Sequence, residues 1–211
     1  IPMFYDSMIA KLIVHGKDRA DAIAKMREAL NGFVIRGISS NIPFQAALLA
    51  HPKFKTGDFN TGFIAEHYSH GFHAEDVPHS DPAFLVALSA HMNRRYRGRA
   101  ASISGQMTGH QVQVSADYTV AVLGAEGNNQ YFDAHVSDFD KGNRSSTVTV
   151  NGKVYAFKSE TPMRAICVQG TCNGQPFTAQ VERGTAKNPL ILRISHNGTQ
   201  IDALVLSKRG A

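Results

Sequence analysis

The pattern of apolar and polar positions changes character near residue 105. Before this point, apolar residues recur at helical spacings. After it, most apolar stretches are short and alternate with polar residues. A period near 3.6 is typical of helices, and a period of two is typical of strands. The sequence therefore predicts an α+β protein, with helices in its first half and an antiparallel sheet in its second.

The first half opens with a predicted strand and an amphipathic helix. Met8 to His15 form an apolar run broken by Lys11, the pattern of a strand buried on both faces. Asp18 is a candidate N-cap, and apolar residues then recur at spacings of three and four. They are Ile23, Met26, Leu30 and Phe33. Because an ordered strand with nothing to pair with rarely opens a free-standing domain, we expect the chain to be the carboxyl-terminal part of something larger.

Shorter elements follow this helix. Residues 34–38 are predicted to form a short strand. Asn41 is a candidate cap of a second helix, with Pro43 in its first turn, and His51-Pro52 is expected to end it. Residues 61–67 are predicted to form a third helix, and residues 69–80 a linker. This is too little α/β material for a complete domain.

A helix that is apolar on nearly all sides is predicted at residues 81–97. Asp81 and Pro82 are its cap and first-turn proline, and residues 83–90 are almost entirely apolar. Such a helix must be surrounded by protein or lipid. The apolar run is far shorter than the ~20 residues that a membrane span needs, so protein is expected to surround it. From Arg94 to Arg99 the same helix becomes basic.

The second half contains eight predicted strands joined by marked turns. Three Asn-Gly pairs, at 151–152, 173–174 and 197–198, predict two-residue hairpins. The strands are predicted at 117–123, 130–137, 145–150, 153–159, 164–169, 175–182, 189–195 and 199–207. A meander of this length tends to close, because closure removes exposed edges. We expect an antiparallel sheet or barrel wrapped around the apolar helix, and open or enlarged, since eight strands normally enclose only their own side chains.

Several short segments match motifs of a known family. They are Tyr5-Asp6-Ser7-Met8-Ile9-Ala10-Lys11-Leu12, Asp18-Arg19, Ala22-Ile23-Ala24-Lys25-Met26, Gly37-Ile38, Asn41-Ile42-Pro43-Phe44, His51-Pro52-Lys53-Phe54 and Gly57-Asp58. With these segments, residues 4–67 resemble the carboxyl-terminal end of the biotin carboxylase domain in the α subunits of biotin-dependent acyl-CoA carboxylases. Residues 33–37 and 68–72 resemble the propionyl-CoA carboxylase branch of that family.

The resemblance implies a domain organisation and a partner. Residues 1–68 would be the end of the carboxylase domain, 69–80 a linker, and 81–211 the connecting (BT) domain, with its helix at 81–97 and eight strands over 117–207. In the family, this domain is a long helix wrapped by an eight-stranded antiparallel barrel, and it binds the carboxyltransferase β subunit. The family docks that partner through a hook-like loop after the helix, which corresponds here to residues 98–116.

The chain departs from the family pattern in two respects. The ATP-grasp half of the carboxylase domain is absent, and no Met-Lys-Met biotinylation motif occurs. The resemblance implies that the parent uses biotin, ATP and Mg²⁺, and that its other carboxylase half and its biotinyl carrier domain are further partners. No catalytic, cofactor or metal residue is expected here. Tyr5 and Asp6 are expected near the parent's biotin site, although Asp6 would equally serve to bond local backbone.

Charge and composition bear on the partner. The net charge is +5 and the pI about 9.3. The basic cluster consists of Arg94, Arg95, Arg97 and Arg99; it holds a single aromatic residue, Tyr96, and the chain lacks the recognisable modules of nucleic-acid binders. We therefore expect neither a nucleic acid nor a membrane partner but an acidic protein surface, contacted by these arginines together with Ser102, Gln106 and His110. The alternative for the arginines is a solvated helix end that complements the helix dipole.

Histidines and cysteines add little chemistry. His67, His70, His73 and His79, with Glu66, Glu75 and Asp76, lack the spacing of a zinc site and are expected to be surface residues. His91 is predicted to be a hydrogen-bonded core residue. Two cysteines give no disulfide framework, which is consistent with the cytoplasm or a mitochondrial matrix. The rival hypothesis is an independent β-barrel that binds a small hydrophobic ligand, for which the barrel would need a cavity.

Overall fold

A computed structural model describes residues 8–73, 79–184 and 188–208 of the chain. Its helices are α1 (Arg19–Gly32), α2 (Ile42–Ala50), α3 (Pro52–Thr56), α4 (Phe63–His67) and α5 (Pro82–Ala101). Its strands are β1 (Asp117–Val122), β2 (Gln130–Asp140), β3 (Ser145–Val150), β4 (Lys153–Ser159), β5 (Cys167–Cys172), β6 (Gln175–Arg183), β7 (Leu192–His196) and β8 (Thr199–Ser207). The predicted α+β class is confirmed.

The eight strands form a closed antiparallel barrel in sequential order. Each strand pairs with the next, and β1 also pairs with β8, where Val120 lies opposite Val205. The three Asn-Gly hairpins are confirmed. At all three, both residues have positive φ, from 49° and 77° at Asn151 and Gly152 to 52° and 85° at Asn197 and Gly198. These turns fix the register of three hairpins and, with it, the face that each strand buries.

Helix α5 runs through the inside of this barrel. Residues Leu85 to Met92 are each at most 2% exposed. Every strand contributes buried side chains to the core around the helix; among them are Val120, Val136, Val148, Phe157, Val168, Ala179, Ile194 and Ala203. The predicted barrel wrapped around a helix is confirmed, but it is closed rather than open. Small inward side chains at Ala134, Ala179 and Ala203 leave room for the helix.

Two predicted strands in the first half are wrong. Residues 8–15 have no regular structure, and Ile9 and Ile13 are 65% and 83% exposed. Residues 34–38 also form no strand. The physical reason is the same for both segments. A strand needs a free edge to pair with, and the described barrel has already paired both edges of every strand.

Two barrel strands are displaced from their predicted limits. The fifth was expected at 164–169 but spans Cys167–Cys172, because the hairpin at Asn173 carries its pairing with β6 up to the turn. The seventh was expected from 189 but begins at Leu192. The side chain of Asn188 accepts a bond from the Leu190 amide and makes a turn there, so Leu190 is 70% exposed instead of inward-facing.

The helical first part packs on the outside of the barrel through α1 and β6. Asp18 caps α1 as predicted, accepting from the Asp21 amide at 2.8 Å. Near the other end of the helix, the Asn31 side chain accepts from the Asn197 amide at 2.8 Å, and its backbone oxygen accepts from the Gln180 side chain at 3.1 Å. Glu28, on the same helix, accepts a hydrogen bond from Thr178. Thr178 is therefore buried although its side chain points out of the barrel.

Candidate docking surface

Helix α5 leaves the barrel at its basic end and continues to Ala101, four residues beyond its predicted limit. Gly98 lies in this last part of the helix, and its missing side chain makes room for the ring of Phe139 on β2, since a Cβ there would come within 2.9 Å of the ring. The Arg94 guanidinium lies 4.1 Å from the centroid of the same ring, a cation–π contact. Arg94 thus fastens the emerging helix to the barrel rim.

Arg95 points into the barrel instead of toward solvent. It is 4% exposed, and its guanidinium donates to the Thr161 backbone oxygen at 3.2 Å and contacts the Met92 sulfur at 3.6 Å. Burial lowers the pKa of this guanidinium. A side chain in this position is not available to a partner on the surface. Of the four arginines, Arg97 and Arg99 are the exposed pair, on the last turns of α5.

The segment from Ser102 to Ala116, here called the hook loop, has no regular secondary structure but a defined internal geometry. The Gln106 side chain donates to the Ala101 and Ile103 oxygens, both at 2.9 Å, and accepts from the Val112 amide at 2.7 Å. Gln106 therefore joins the two arms of the loop. A loop of this length without secondary structure is usually functional or a linker, and internal bonds of this kind distinguish an ordered loop from a linker.

The other two predicted residues of the hook loop differ in setting. The Ser102 hydroxyl donates to the Arg99 backbone oxygen and accepts from the Lys141 ammonium, both at 2.8 Å, so it caps α5 and anchors it to the β2–β3 turn. His110 is exposed, and its amide closes a turn with the Met107 oxygen at 3.0 Å. Ser102 and Gln106 shape the loop, whereas His110 presents its side chain to solvent.

Sequence reasoning missed the apolar side chains of the hook loop. Ile103, Met107 and Val112 are 63%, 72% and 43% exposed. Large apolar side chains grouped on one loop mark protein interaction sites, and Met and Arg are both enriched at such interfaces. The signal was present in the sequence as a few scattered apolar residues in a polar, glycine-bearing segment. It has no periodicity, so a search for helical or strand patterns passes over it.

The remaining candidate residues lie away from this surface. Tyr5 and Asp6 fall outside the described residues, as do Glu75 and Asp76. His70 and His73 are exposed as expected, but His79 is buried, which corrects its prediction as a surface residue. Its Nδ1 accepts from the Asp81 amide at 2.9 Å, so its Nε2 donates to His196 Nδ1 at 2.7 Å. The buried pair fixes the start of α5 to the end of β7.

His91 is a satisfied core residue, as predicted. Its two ring nitrogens lie 2.7 Å and 2.9 Å from the hydroxyls of Ser146 and Ser159, and the side chain is fully buried. Burial lowers its pKa to about 3. Elsewhere in the part of the chain that the structure describes, no group of three or more His, Cys, Asp or Glu is placed to hold a metal ion. None of the described helices is long and apolar enough to span a bilayer.

These features define a class: an antiparallel eight-stranded barrel closed around a helix, with an ordered hook loop where the helix emerges. Residues 85–211 match the family model for the propionyl-coenzyme A carboxylase BT domain, and residues 1–66 match the model for the biotin carboxylase C-terminal domain. The first of these matches covers more than half of the chain. The chain therefore belongs to the propionyl-CoA carboxylase BT domain family, joined to the end of a biotin carboxylase domain.

Individual relatives agree with both matches. A propionyl-CoA carboxylase alpha chain from Ruegeria pomeroyi is 42% identical over 126 residues, 60% of this chain and 18% of the relative. The mitochondrial propionyl-CoA carboxylase alpha chain of Caenorhabditis briggsae is 29% identical over 215 residues, 99% of this chain and 29% of the relative. Biotin carboxylase 1 of Bacillus subtilis is 56% identical over 64 residues, 30% of this chain and 14% of the relative. The chain thus spans less than a third of each.

Proposed function

We propose that this chain docks a biotin carboxylase domain onto the carboxyltransferase β subunit of a propionyl-CoA carboxylase, without taking part in the chemistry itself. The observation that carries the proposal is the hook loop, which exposes Ile103, Met107 and Val112, with Ile103 close to the exposed Arg97 and Arg99. The apolar side chains would form the desolvated centre of an interface, and the arginines its charged rim.

The proposal assigns the chain's two parts different tasks. The part up to residue 68 would complete one wall of the carboxylase domain, with residues 69–80 as a linker and the barrel from residue 81 onward as the adaptor. The hydrogen bonds of Asn31 and Glu28 to the barrel support this division, because they fix the first part against β6. Docking by a rigid adaptor would place the two active sites of the parent at a set separation.

The chemistry of the parent lies outside this chain. The parent would carboxylate biotin with ATP, Mg²⁺ and bicarbonate, and the β subunit would pass the carboxyl group to an acyl-CoA. The described residues include no group of three or more metal-ligating side chains, and the sequence has no Met-Lys-Met biotinylation motif. The proposed setting is the cytoplasm or a mitochondrial matrix; the relatives from Caenorhabditis briggsae and human are named as mitochondrial.

The rival hypothesis of a hydrophobic ligand in the barrel lacks support from the core. The interior is filled by α5, whose residues from Leu85 to Met92 contact inward side chains of the strands. A ligand there would have to displace a helix that completes the hydrophobic core. Ile103, Met107 and Val112, by contrast, are exposed on the hook loop outside the barrel.

The direct test is binding of the chain to its cognate carboxyltransferase subunit, measured by co-elution and by biolayer interferometry. We expect Met107→Glu to weaken binding more than tenfold, because it puts a charge into the apolar centre. Arg97→Glu and Arg99→Glu should weaken it and reduce its salt dependence. Val154→Glu is the matched control: Val154 is 50% exposed on β4, beside Lys153, which bonds Asp81 at the opposite end of α5.

Circular dichroism would establish that each variant is folded. Absence of binding by the unmodified chain would overturn the proposal. Binding that Met107→Glu and Val154→Glu leave equally intact would keep the docking function and exclude the hook loop as its site.

A further inference from the structure

A second surface feature lies near the emerging end of α5, but it is a cavity rather than a loop. Its volume is about 730 Å³, within the usual range for small-molecule sites. One wall is apolar and is formed by Met163, Ile166 and Val181. The rim carries four arginines, which are Arg36, Arg99, Arg164 and Arg183. They come from four separate parts of the chain, so the fold alone brings their charges together.

The charge of this cavity is largely uncompensated. Glu182 is the one carboxylate among its described lining residues, and its oxygen lies 3.0 Å from Arg36 Nε. Four guanidinium groups and one carboxylate leave an excess of three positive charges. Among the residues that the structure describes, no ion pair involves Arg99, Arg164 or Arg183. Like charges around one cavity repel each other, and an anion in the cavity would relieve that repulsion.

Tyr96 positions one of these arginines without neutralising it. The Arg183 guanidinium lies 4.9 Å from the centroid of the Tyr96 ring. Burial raises the pKa of the Tyr96 phenol, so this group remains an uncharged platform. A guanidinium stacked on an aromatic face keeps its N–H groups free at the edge, in the planar arrangement that matches phosphate oxygens.

We propose that this cavity binds a small molecule with a diphosphate group and an attached apolar group. The diphosphate would lie among Arg99, Arg164 and Arg183, whose three charges match the charge of such a group. The apolar group would contact Met163 and Ile166. The site shares Arg99 with the proposed docking surface, but ligand binding here requires no second protein.

The test is calorimetric titration of the 211-residue chain with inorganic pyrophosphate and with isopentenyl diphosphate, which adds a short apolar group to the same anion. We expect both to bind, isopentenyl diphosphate more tightly because of the apolar wall. Arg164→Gln and Arg183→Gln should each weaken binding about tenfold, the usual loss for a hydrogen bond to a charged group. Arg97→Gln removes the same charge from an exposed site outside the cavity and should change affinity less than twofold.

Glu182→Gln tests the proposal with a variant that should gain affinity for diphosphate, a result that unfolding of the variant cannot produce. The change removes the one opposing charge and releases Arg36, so we expect it to strengthen diphosphate binding several-fold. Weaker binding by Glu182→Gln, equal losses in Arg97→Gln and Arg164→Gln, or absence of saturable binding would overturn the proposal. Equal affinity for both probes would support the anion site and overturn the role of the apolar wall. Failure to bind the carboxyltransferase subunit would leave all these expectations unchanged.

Discussion

The backbone of Gly170 on β5 passes so close to Lys158 on β4 that a Cβ at position 170 would come within 2.2 Å of the Lys158 carbonyl oxygen. It would also lie 2.9 Å from the Cα of Ser159, the residue paired with Gly170 in the sheet. The β4–β5 ladder contains three residue pairs, and Ser159 in turn bonds His91 inside the barrel. The glycine thus permits closure of the barrel and the polar contact to its central helix.

Gly170→Ala is predicted to destabilise the fold strongly. The added Cβ meets backbone atoms, which cannot move aside as a side chain end can, so β4 and β5 must separate. We expect the free energy of unfolding to fall by about 3 kcal/mol, the upper range for overpacking in a core. Urea denaturation followed by circular dichroism measures this. Gly32→Ala is the control, since a Cβ there has its nearest neighbours at 3.7 Å and an ordinary φ. Equal free energies of unfolding for Gly170→Ala and Gly32→Ala would refute the close approach of Gly170 to Lys158.

Arg95 and Arg97, two positions apart on α5, are predicted to differ in their contribution to the free energy of unfolding. Arg95→Ala removes a buried side chain and leaves the Thr161 oxygen without its donor, so we expect a loss of about 2 kcal/mol in the free energy of unfolding. Arg97→Ala changes an exposed side chain and should stay within about 0.5 kcal/mol of the unmodified chain. Thermal unfolding of both variants distinguishes them. Similar melting temperatures would show that Arg95 does not support the barrel.

The contact between α1 and the barrel is predicted to depend on Asn31. Asn31→Ala removes its bonds to the backbone and side chain of Asn197. We expect faster amide hydrogen exchange over residues 19–32, by about tenfold, and unchanged exchange in the barrel core. Asn128→Ala, in the exposed turn between β1 and β2, is the matched control. An equal increase in exchange in α1 and in β6 would contradict the prediction. It would mean that the helix and the strand open together instead of separating at this contact.

The barrel could be predicted from the sequence because its determinants are local. Asn151-Gly152 and its two equivalents specify hairpin turns by backbone conformation alone, and alternation on β6 places Phe177, Ala179 and Val181 inward. The apolar residues at 83–90 predicted that protein surrounds this helix, and the inward side chains of the strands do surround it. For these elements, each local preference agrees with the global fold.

The errors concern features that depend on neighbours distant in sequence. Residues 8–15 have a strand pattern, but no edge in the described chain can receive them. Arg95 could not be distinguished from Arg97, because the direction of a side chain near a helix end depends on where the barrel stops. The buried state of His79 depends on His196, 117 residues away. The grouping of Arg36, Arg99, Arg164 and Arg183 likewise follows only from closure of the barrel.

The stability of the barrel is predicted to decrease in acid because of His91. Its imidazole is held neutral between two serine hydroxyls, and burial lowers its pKa to about 3, whereas an unfolded chain has a histidine pKa near 6.5. Below about pH 6.5 the unfolded state therefore binds a proton that the folded state excludes. This contribution to stability is complete above that pH and is lost as the pH falls toward 3, at about 1.4 kcal/mol per pH unit.

The variant His91→Gln isolates this effect, because glutamine can bond both serines but does not titrate. His196, with its pKa also lowered to about 3 by burial, adds the same acid sensitivity to both proteins and cancels in the comparison. We expect the difference in the free energy of unfolding between the unmodified chain and His91→Gln to shift in favour of the variant by about 1.2 kcal/mol between pH 6 and pH 5. Urea titrations at the two pH values measure the shift. If the unmodified chain and His91→Gln lost stability in parallel between these pH values, the imidazole of His91 would be protonated inside the barrel.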